Sequence, residues 1–132
     1  MDTFKKIKSL AENRIDFFQD STHGFYKWSP TYFYELAKEI VEAEYENKGN
    51  NKVYLEYELC DIFWDYICLV SALKSEWKID SIESVLEKTL RKFSERVWED
   101  GRWKEKNWEE IKAKQKQDIA QEHLQYSKNN NF

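Results

Sequence analysis

The segment spanning residues 52–74 restricts the fold of this chain more than any other part of its sequence. Wound as a helix, it is apolar on nearly every face, because Val, Leu, Ile, Phe, Tyr and Trp fill most of its positions. A helix of this kind is buried at the centre of a bundle. The 132-residue chain contains only three Gly and one Pro, too few for the repeated tight turns of β-rich folds. We therefore predict an all-α fold, a bundle of four to five helices.

Helical periodicity and helix-breaking residues divide the chain into five predicted helices. With their caps, they cover residues 3–18, 29–47, 52–74, 80–99 and 108–126. Ser29 and Pro30 are predicted to form the N-cap and the first helical position of the second helix. The chain length suits one compact domain. We expect residues 1–126 to form that domain, followed by a flexible C-terminal tail at residues 127–132.

Composition excludes several classes of function. The formal charge of -4 and the pI near 5.3 argue against a nucleic-acid binder. The longest apolar run is far shorter than the ~20 residues that span a bilayer, so no membrane association is expected. The first residues lack the apolar core of a secretion signal. Cys60 and Cys68 are then expected to be reduced thiols in a cytoplasmic protein.

Acidic side chains interrupt the apolar third helix on one narrow stripe. At about 100° per residue, Glu58, Asp61 and Asp65 fall within an arc of roughly 60°. Buried carboxylates without partners are costly and repel one another, so a cation is their natural partner. The second helix carries a similar stripe, which alone is typical of a solvated helix face. This second stripe comprises Glu35, Glu39, Glu42 and Glu46.

The two acidic stripes are expected to face each other. Antiparallel helices joined by a short turn are neighbours, which brings Glu39 and Glu42 opposite Glu58 and Asp61. Carboxylate oxygens without nitrogen or sulfur ligands suit a hard cation, Mg²⁺ or alternatively Mn²⁺. A di-iron bundle site would need Glu-x-x-His pairs, and the two histidines of the chain do not occur at that spacing on a core helix.

The spacing of these acids resembles that of a known family. Glu39-x-x-Glu42, fifteen residues and Glu58-x-x-Asp61 are similar to the pattern E-E-x-x-E, short gap, E-x-x-D of the MazG-type all-α nucleoside triphosphate pyrophosphohydrolases. The segments ELAKEIVEAEYE and YLEYELCDIFWDYICLVSAL look like the second and third helices of that family. Further on, KFSERVWEDG and NWEEIKAKQK resemble its basic segment and its closing stretch. The resemblance covers residues 30–116.

The resemblance implies a Mg²⁺-dependent enzyme that cleaves a (d)NTP to (d)NMP and pyrophosphate. Metal-activated water would attack the α-phosphorus. Glu39 and Glu35 are the two candidate catalytic residues for accepting the proton, and the sequence does not choose between them. The implied metal ligands are Glu39, Glu42, Glu58 and Asp61.

Basic and aromatic residues complete the candidate substrate site. Lys92 and Arg96 on the fourth helix, with Lys112 further on, are candidates for binding the phosphates, although a solvated basic face is the competing interpretation. Trp28 and Phe18 border the irregular stretch before the second helix and are candidates for stacking on the base. Aromatic residues in such numbers more often belong to the core.

Two further expectations concern assembly and activity. One short chain offers few helices to cover an apolar third helix, so we predict a homodimer or a larger homo-oligomer that involves the second and third helices. The resemblance implies the same. Lys38 stands where the family often has the first glutamate of E-E-x-x-E. The alternative function is therefore a catalytically inactive, MazG-like helical interaction or regulatory module.

Overall fold

The computed structural model describes residues 2–19, 24–104 and 108–129. Its helices are α1 (Thr3–Gln19), α2 (Ser29–Tyr45), α3 (Lys52–Ser75), α4 (Ile82–Arg96) and α5 (Trp108–Asn129), with a 3-10 helix at Gly24–Lys27. Among these residues there is no strand, only one isolated antiparallel bridge between Val97 and Trp103. The predicted all-α class is confirmed. None of the described helices has the length and apolar character needed to cross a membrane.

Two helix ends differ from the predicted bounds by three residues. α4 ends at Arg96 rather than at residue 99, because the chain turns back through Gly101, whose φ of 91° favours glycine. α5 continues to Asn129, three residues beyond its predicted end. The last three residues of the predicted tail lie outside the described part. Contacts divide the chain into two compact units, residues 1–82 and residues 83–132.

The first unit is built around α3, which contacts both α1 and α2. Its core contains side chains from all three helices. Only the C-terminal half of α3 is buried within the chain, at Ile67–Ala72, whereas Val53 and Tyr54 near its start are 77% and 68% exposed. The buried apolar residues include Ala11, Ile15, Phe18, Tyr32, Ala43, Ile67, Cys68, Leu69, Val70, Ala72 and Ile82.

A short loop reverses the chain between α2 and α3. Asn50 adopts a left-handed conformation with a φ of 57°, which asparagine tolerates better than most residues. Asn51 donates through Nδ2 to the Glu46 backbone oxygen at 2.8 Å and to Glu46 Oε2 at 2.6 Å. Because the loop is short and its ends are tied together, α2 and α3 run antiparallel side by side.

A carboxylate from the end of α3 caps the start of α2. The predicted N-cap role of Ser29 is wrong, because Ser29 is the first helical residue and Trp28 holds the cap position without a side-chain bond. The Ser29 backbone N–H donates to Glu76 Oε2 at 2.7 Å, and its hydroxyl donates to Glu76 Oε1 at 2.8 Å. Lys78 Nζ lies 2.9 Å from the same Oε1. Glu76 therefore satisfies the exposed donors of a helix 47 residues away in sequence.

The C-terminus of α3 is closed by a residue in the left-handed conformation. Trp77 has a φ of 62°, and its N–H bonds the carbonyl of Lys74 while that of Lys78 bonds the carbonyl of Leu73. This pattern is the Schellman motif, in which glycine usually takes the left-handed place. A bulky tryptophan there costs roughly 1–2 kcal/mol of local conformational energy.

The second unit is an antiparallel helix pair with a turn between its members. Lys88 and Arg91 of α4 lie 3.0 and 3.7 Å from the Glu122 carboxylate of α5. Nearer the turn, Arg96 Nε donates to Gln115 Oε1 at 2.7 Å. α5 therefore lies along the basic side of α4, and these contacts fix which turns of the two helices meet.

We expect Glu76→Gln to destabilise the protein by about 1–2 kcal/mol, because a neutral amide loses the charge-assisted bonds that cap α2. Burial raises the pKa of Glu76, but the hydrogen bonds from Lys78 and Ser29 outweigh this effect and lower the pKa below its ordinary 4.5. A carboxyl whose pKa is lowered by folding stabilises the protein fully when the pH is above its ordinary pKa. That stability is lost as the pH falls through the lowered, folded-state pKa.

Thermal melts of the wild type and Glu76→Gln between pH 7 and pH 2.5 measure this effect. The gap in Tm should be constant near neutrality and close below pH 4.5. Glu99→Gln, at an exposed position, serves as the control and should melt like the wild type throughout. A Tm gap that is absent at pH 7 would contradict the capping role.

Candidate metal centre

Three acids of α2 and α3 converge on one point of the first unit. Glu39, Glu58 and Asp61 are all partly buried, and each offers one carboxylate oxygen within 4.8 Å of the other two. Three of the four predicted ligands are thus brought together. The fourth, Glu42, is exposed and stands outside this group, although its carboxyl interacts with that of Glu39.

The convergence follows from helix geometry and the antiparallel loop. Residues three or four apart lie on the same face of a helix, which aligns Glu39 with Glu42 and Glu58 with Asp61. The electrostatic neighbours also run in opposite order along the two helices. The charge of Glu35 acts on Asp65, that of Asp61 acts on Glu39, and that of Glu42 acts on Glu58.

Glu39 is the most perturbed member of the group. Its Oε2 is shielded from solvent and has no hydrogen-bond partner in the described part of the chain. Desolvation raises the pKa of Glu39 from 4.5 to about 7, assisted by hydrogen bonding to Glu42 and by the charges of Glu42, Asp61 and Asp65. Glu39 is therefore harder to ionise than an ordinary carboxyl.

The perturbation extends along both acidic stripes. Desolvation, with the charges of Asp61, Glu42 and Glu46, raises the pKa of Glu58. Desolvation, followed by the charge of Glu35, raises the pKa of Asp65 from 3.8 to about 6. The predicted ligand set omitted Asp65, although its position four residues after Asp61 on the same stripe is a signal that the sequence contains.

The donor set fits a hard divalent cation. It consists of carboxylate oxygens alone, which Mg²⁺, Mn²⁺ and Ca²⁺ prefer over softer metals. Close like charges are unfavourable without a counter-ion, and the solvent-shielded Glu39 Oε2 lacks the partner that a buried polar atom requires. A cation among Glu39, Glu58 and Asp61 would supply the counter-charge for these acids and the missing partner of Glu39 Oε2.

The two predicted base-stacking residues occupy different environments. Trp28 is 52% exposed, with Lys27 Nζ 4.8 Å from its ring centroid. Phe18 is buried, with its ring 5.2 Å from that of Phe17 and 5.5 Å from that of Tyr26. Phe18 therefore acts as a core residue in this structure, and Trp28 is the accessible aromatic side chain of the pair.

The three predicted phosphate-binding residues line one groove of the second unit. Lys92 and Arg96 of α4 and Lys112 of α5 border a cavity of about 690 Å³ between the two helices. Its lining contains six cations and three carboxylates, so the groove has an excess of positive charge. The remaining charged lining residues are Lys88, Arg91, Lys116, Glu95, Asp118 and Glu122.

Arg96 is fixed in this groove by neighbouring side chains. Its Nε donates to Gln115 Oε1, and Gln115 Nε2 donates to the Lys92 carbonyl and to Glu95 Oε2, both at 3.0 Å. The guanidinium carbon lies 5.1 Å from the Trp108 ring centroid. The Nε of Arg96 is thus used for this anchoring.

We expect Glu39→Gln to stabilise the metal-free protein at neutral pH, on the order of 1 kcal/mol after allowing for partial solvent screening. A carboxyl with a raised folded-state pKa stabilises the fold below its ordinary value, and that stability is lost as the pH rises from 4.5 through about 7. In chelator, the Tm of the wild type should therefore fall between pH 5 and pH 7.5, and that of the variant should fall less.

The same melts with Mg²⁺ or Mn²⁺ test the cation. Metal should raise the Tm of the wild type more than that of Glu39→Gln, because the variant lacks one anionic ligand. Glu44→Gln is the matched control, since Glu44 is exposed on α2 and stands outside the three-acid group. If all three proteins respond equally to metal and pH, Glu39 is not part of a cation site.

A family model matches the part of the chain that contains these acids. The model described as the MazG nucleotide pyrophosphohydrolase domain matches residues 31–98, just over half of the chain. This range contains the convergent acids, Lys92 and Arg96, whereas Trp28 and Lys112 lie outside it. No curated protein and no solved structure matches the chain significantly. The chain belongs to the MazG nucleotide pyrophosphohydrolase domain family.

Proposed function

We propose that this protein is a divalent-metal-dependent nucleoside triphosphate pyrophosphohydrolase of the cytoplasm, with residues 1–126 as its catalytic domain. The reaction converts a (d)NTP and water to a (d)NMP and pyrophosphate. The family match supports the reaction class. The observation that carries the proposal for this chain is the solvent-shielded, unpartnered Glu39 Oε2 beside Glu58 and Asp61.

The acids of α2 and α3 are proposed to hold the metal. Glu39, Glu58 and Asp61 would supply the converging oxygens, and Glu42 would join them by a side-chain rotation from its exposed position. Mg²⁺ is the proposed ion, with Mn²⁺ as the alternative. A bound divalent ion neutralises phosphate oxygens and makes a coordinated water more acidic.

Glu35 is proposed to accept the proton of the attacking water. It lies one helical turn before Glu39 and outside the three-acid group, so it is not committed to holding the ion. Glu39 is the second candidate, but its oxygens are the natural ligands of the cation. Attack forms a bond from water oxygen to the α-phosphorus, breaks the bond to pyrophosphate and leaves one proton on the carboxylate.

The groove of α4 and α5 is proposed to bind the leaving phosphates. A triphosphate carries about four negative charges, and their neutralisation is the main requirement of phosphoryl transfer. Lys92, Arg96 and Lys112 together supply three positive charges, and Arg96 is anchored by Gln115. Trp28 is proposed to stack on the base, because its ring is accessible.

We expect the wild type to release pyrophosphate from at least one member of a panel of ribo- and deoxyribonucleotides with Mg²⁺ or Mn²⁺. Glu39→Gln, Glu58→Gln and Asp61→Asn should each lose at least about 100-fold in kcat/KM, because each removes an anionic ligand of the ion. Chelator should abolish turnover, and Glu44→Gln should retain it.

Two outcomes would contradict this function. Full activity in excess chelator, or in two of the three variants, would rule out the proposed metal centre. No turnover of any nucleotide, with metal-dependent melting intact, would instead favour the inactive interaction module. Lys38 is the observation behind that alternative, since it replaces a glutamate that is frequent in the family and is exposed on α2.

A homodimer is proposed to cover the exposed apolar side of α2 and α3. Within the chain, the first half of α3 and much of α2 present large apolar side chains to solvent. Large apolar side chains exposed in such numbers on one helix pair are typical of an interface. The exposed residues include Phe33, Ile40, Val41, Tyr45, Val53, Tyr54, Tyr57, Leu59 and Phe63.

We expect light scattering at micromolar concentration to give the mass of a dimer or a larger homo-oligomer. Tyr57→Lys should shift the protein toward the monomer, because a lysine on the apolar side would be desolvated at the interface. Leu124→Lys, at an exposed position of α5, is the control and should leave the mass unchanged. A monomeric wild type would contradict the assembly.

A further inference from the structure

A cavity of the first unit lies at the end of α3, and its lining contains none of the acids assigned to the metal centre. Its volume is about 340 Å³, at the lower end of the range for small-ligand sites. Residues of α1, the last turn of α3 and the loop before α4 form its walls. The lining comprises Glu12, Ile15, Asp16, Ser71, Lys74, Ser75, Trp77, Ile79 and Asp80.

Trp77 is the unusual member of this lining. Its side chain is 92% exposed, and its backbone has a φ of 62°. Glycine would take this left-handed position without strain. The chain therefore presents a large indole to solvent at a place where both burial and backbone geometry disfavour tryptophan. A surface aromatic of this kind is characteristic of a binding anchor.

The charges around Trp77 favour a cationic ligand. Glu12 is already engaged, because its carboxylate lies 3.5 Å from Lys8 Nζ and 3.7 Å from Lys74 Nζ. Asp16 and Asp80 make neither a hydrogen bond nor an ion pair with another residue of the described ranges. The cavity thus has two uncompensated carboxylates beside the indole, while Ile15 and Ile79 give it an apolar floor.

We propose that this cavity binds an arginine side chain that a basic peptide segment of another protein presents. A guanidinium is planar, stacks on an indole face and pairs with carboxylates through two parallel bonds. Trp77 would supply the stacking face, and Asp16 and Asp80 would supply the acceptors. The methylene groups of the arginine match the apolar floor. The site does not depend on the proposed catalytic function.

Titration of the ¹⁵N-labelled full-length protein with short peptides tests the site. The probe is a five-residue peptide with one central arginine flanked by glycines, and its matched control carries citrulline, which keeps the shape but lacks the charge. The indole N–H signal of Trp77 is identified by its loss in Trp77→Gly. We expect the arginine peptide to shift this signal saturably, with a Kd below about 1 mM, and the citrulline peptide to bind at least tenfold more weakly.

Variants separate binding from folding. Trp77→Gly should abolish peptide binding yet melt at or above the wild-type temperature, because glycine relieves the left-handed strain. Asp16→Asn combined with Asp80→Asn should weaken binding at least tenfold. Trp98→Ala removes a half-exposed indole of the second unit and should bind the peptide like the wild type. In all of these variants, the Tm increase on adding Mg²⁺ should be retained.

Three results would overturn the proposal. The first is equal binding of the arginine and citrulline peptides, and the second is unchanged binding by Trp77→Gly. The third is a Trp77 signal that shifts with protein concentration in the absence of peptide, since the occupant would then be a second copy of this chain.

Discussion

The face-to-face placement of the acidic stripes on α2 and α3 is the constraint on which the rest of the structure depends. Seven carboxylates line a single helix pair, and Glu39 and Asp65 have pKa values raised to about 7 and about 6. Such a contact opposes folding when every group is charged. Desolvation and the neighbouring charges favour the protonated forms of Glu39 and Asp65, which lowers this cost.

Contacts at both ends of the pair hold the stripes in register. At one end, Asn51 ties the loop to Glu46, and at the other, Glu76 caps Ser29. Between them, burial is concentrated at Ile67–Ala72 of α3. The acids of α3 therefore lie on its less buried half, and the apolar core that supports them lies further along.

Local patterns predicted the helices and the acidic stripes because both depend on the periodicity of one or two helices. The same reasoning failed for Ser29, whose partner Glu76 lies 47 residues away and has no local signature. The sequence leaves Phe18 open as a base-stacking candidate or a core residue, because an aromatic residue at a helix end has the same pattern in both settings. In the structure its ring is buried beside Phe17 and Tyr26. No sequence pattern predicts a left-handed conformation at Trp77, because glycine is the residue that usually occupies such a position.

Desolvation and the repulsion among the acids raise the pKa of Glu39. Cation binding at the proposed metal centre would therefore depend on pH. A cation bound at the proposed centre would displace the proton that Glu39 holds, so its binding would release protons and weaken as the pH falls. Protons and the proposed ion would thus compete for the same carboxylates. Replacing Glu39 with glutamine removes the repulsion and the ligand together, and a gain in metal-free stability is the expected counterpart of a loss of function at this position.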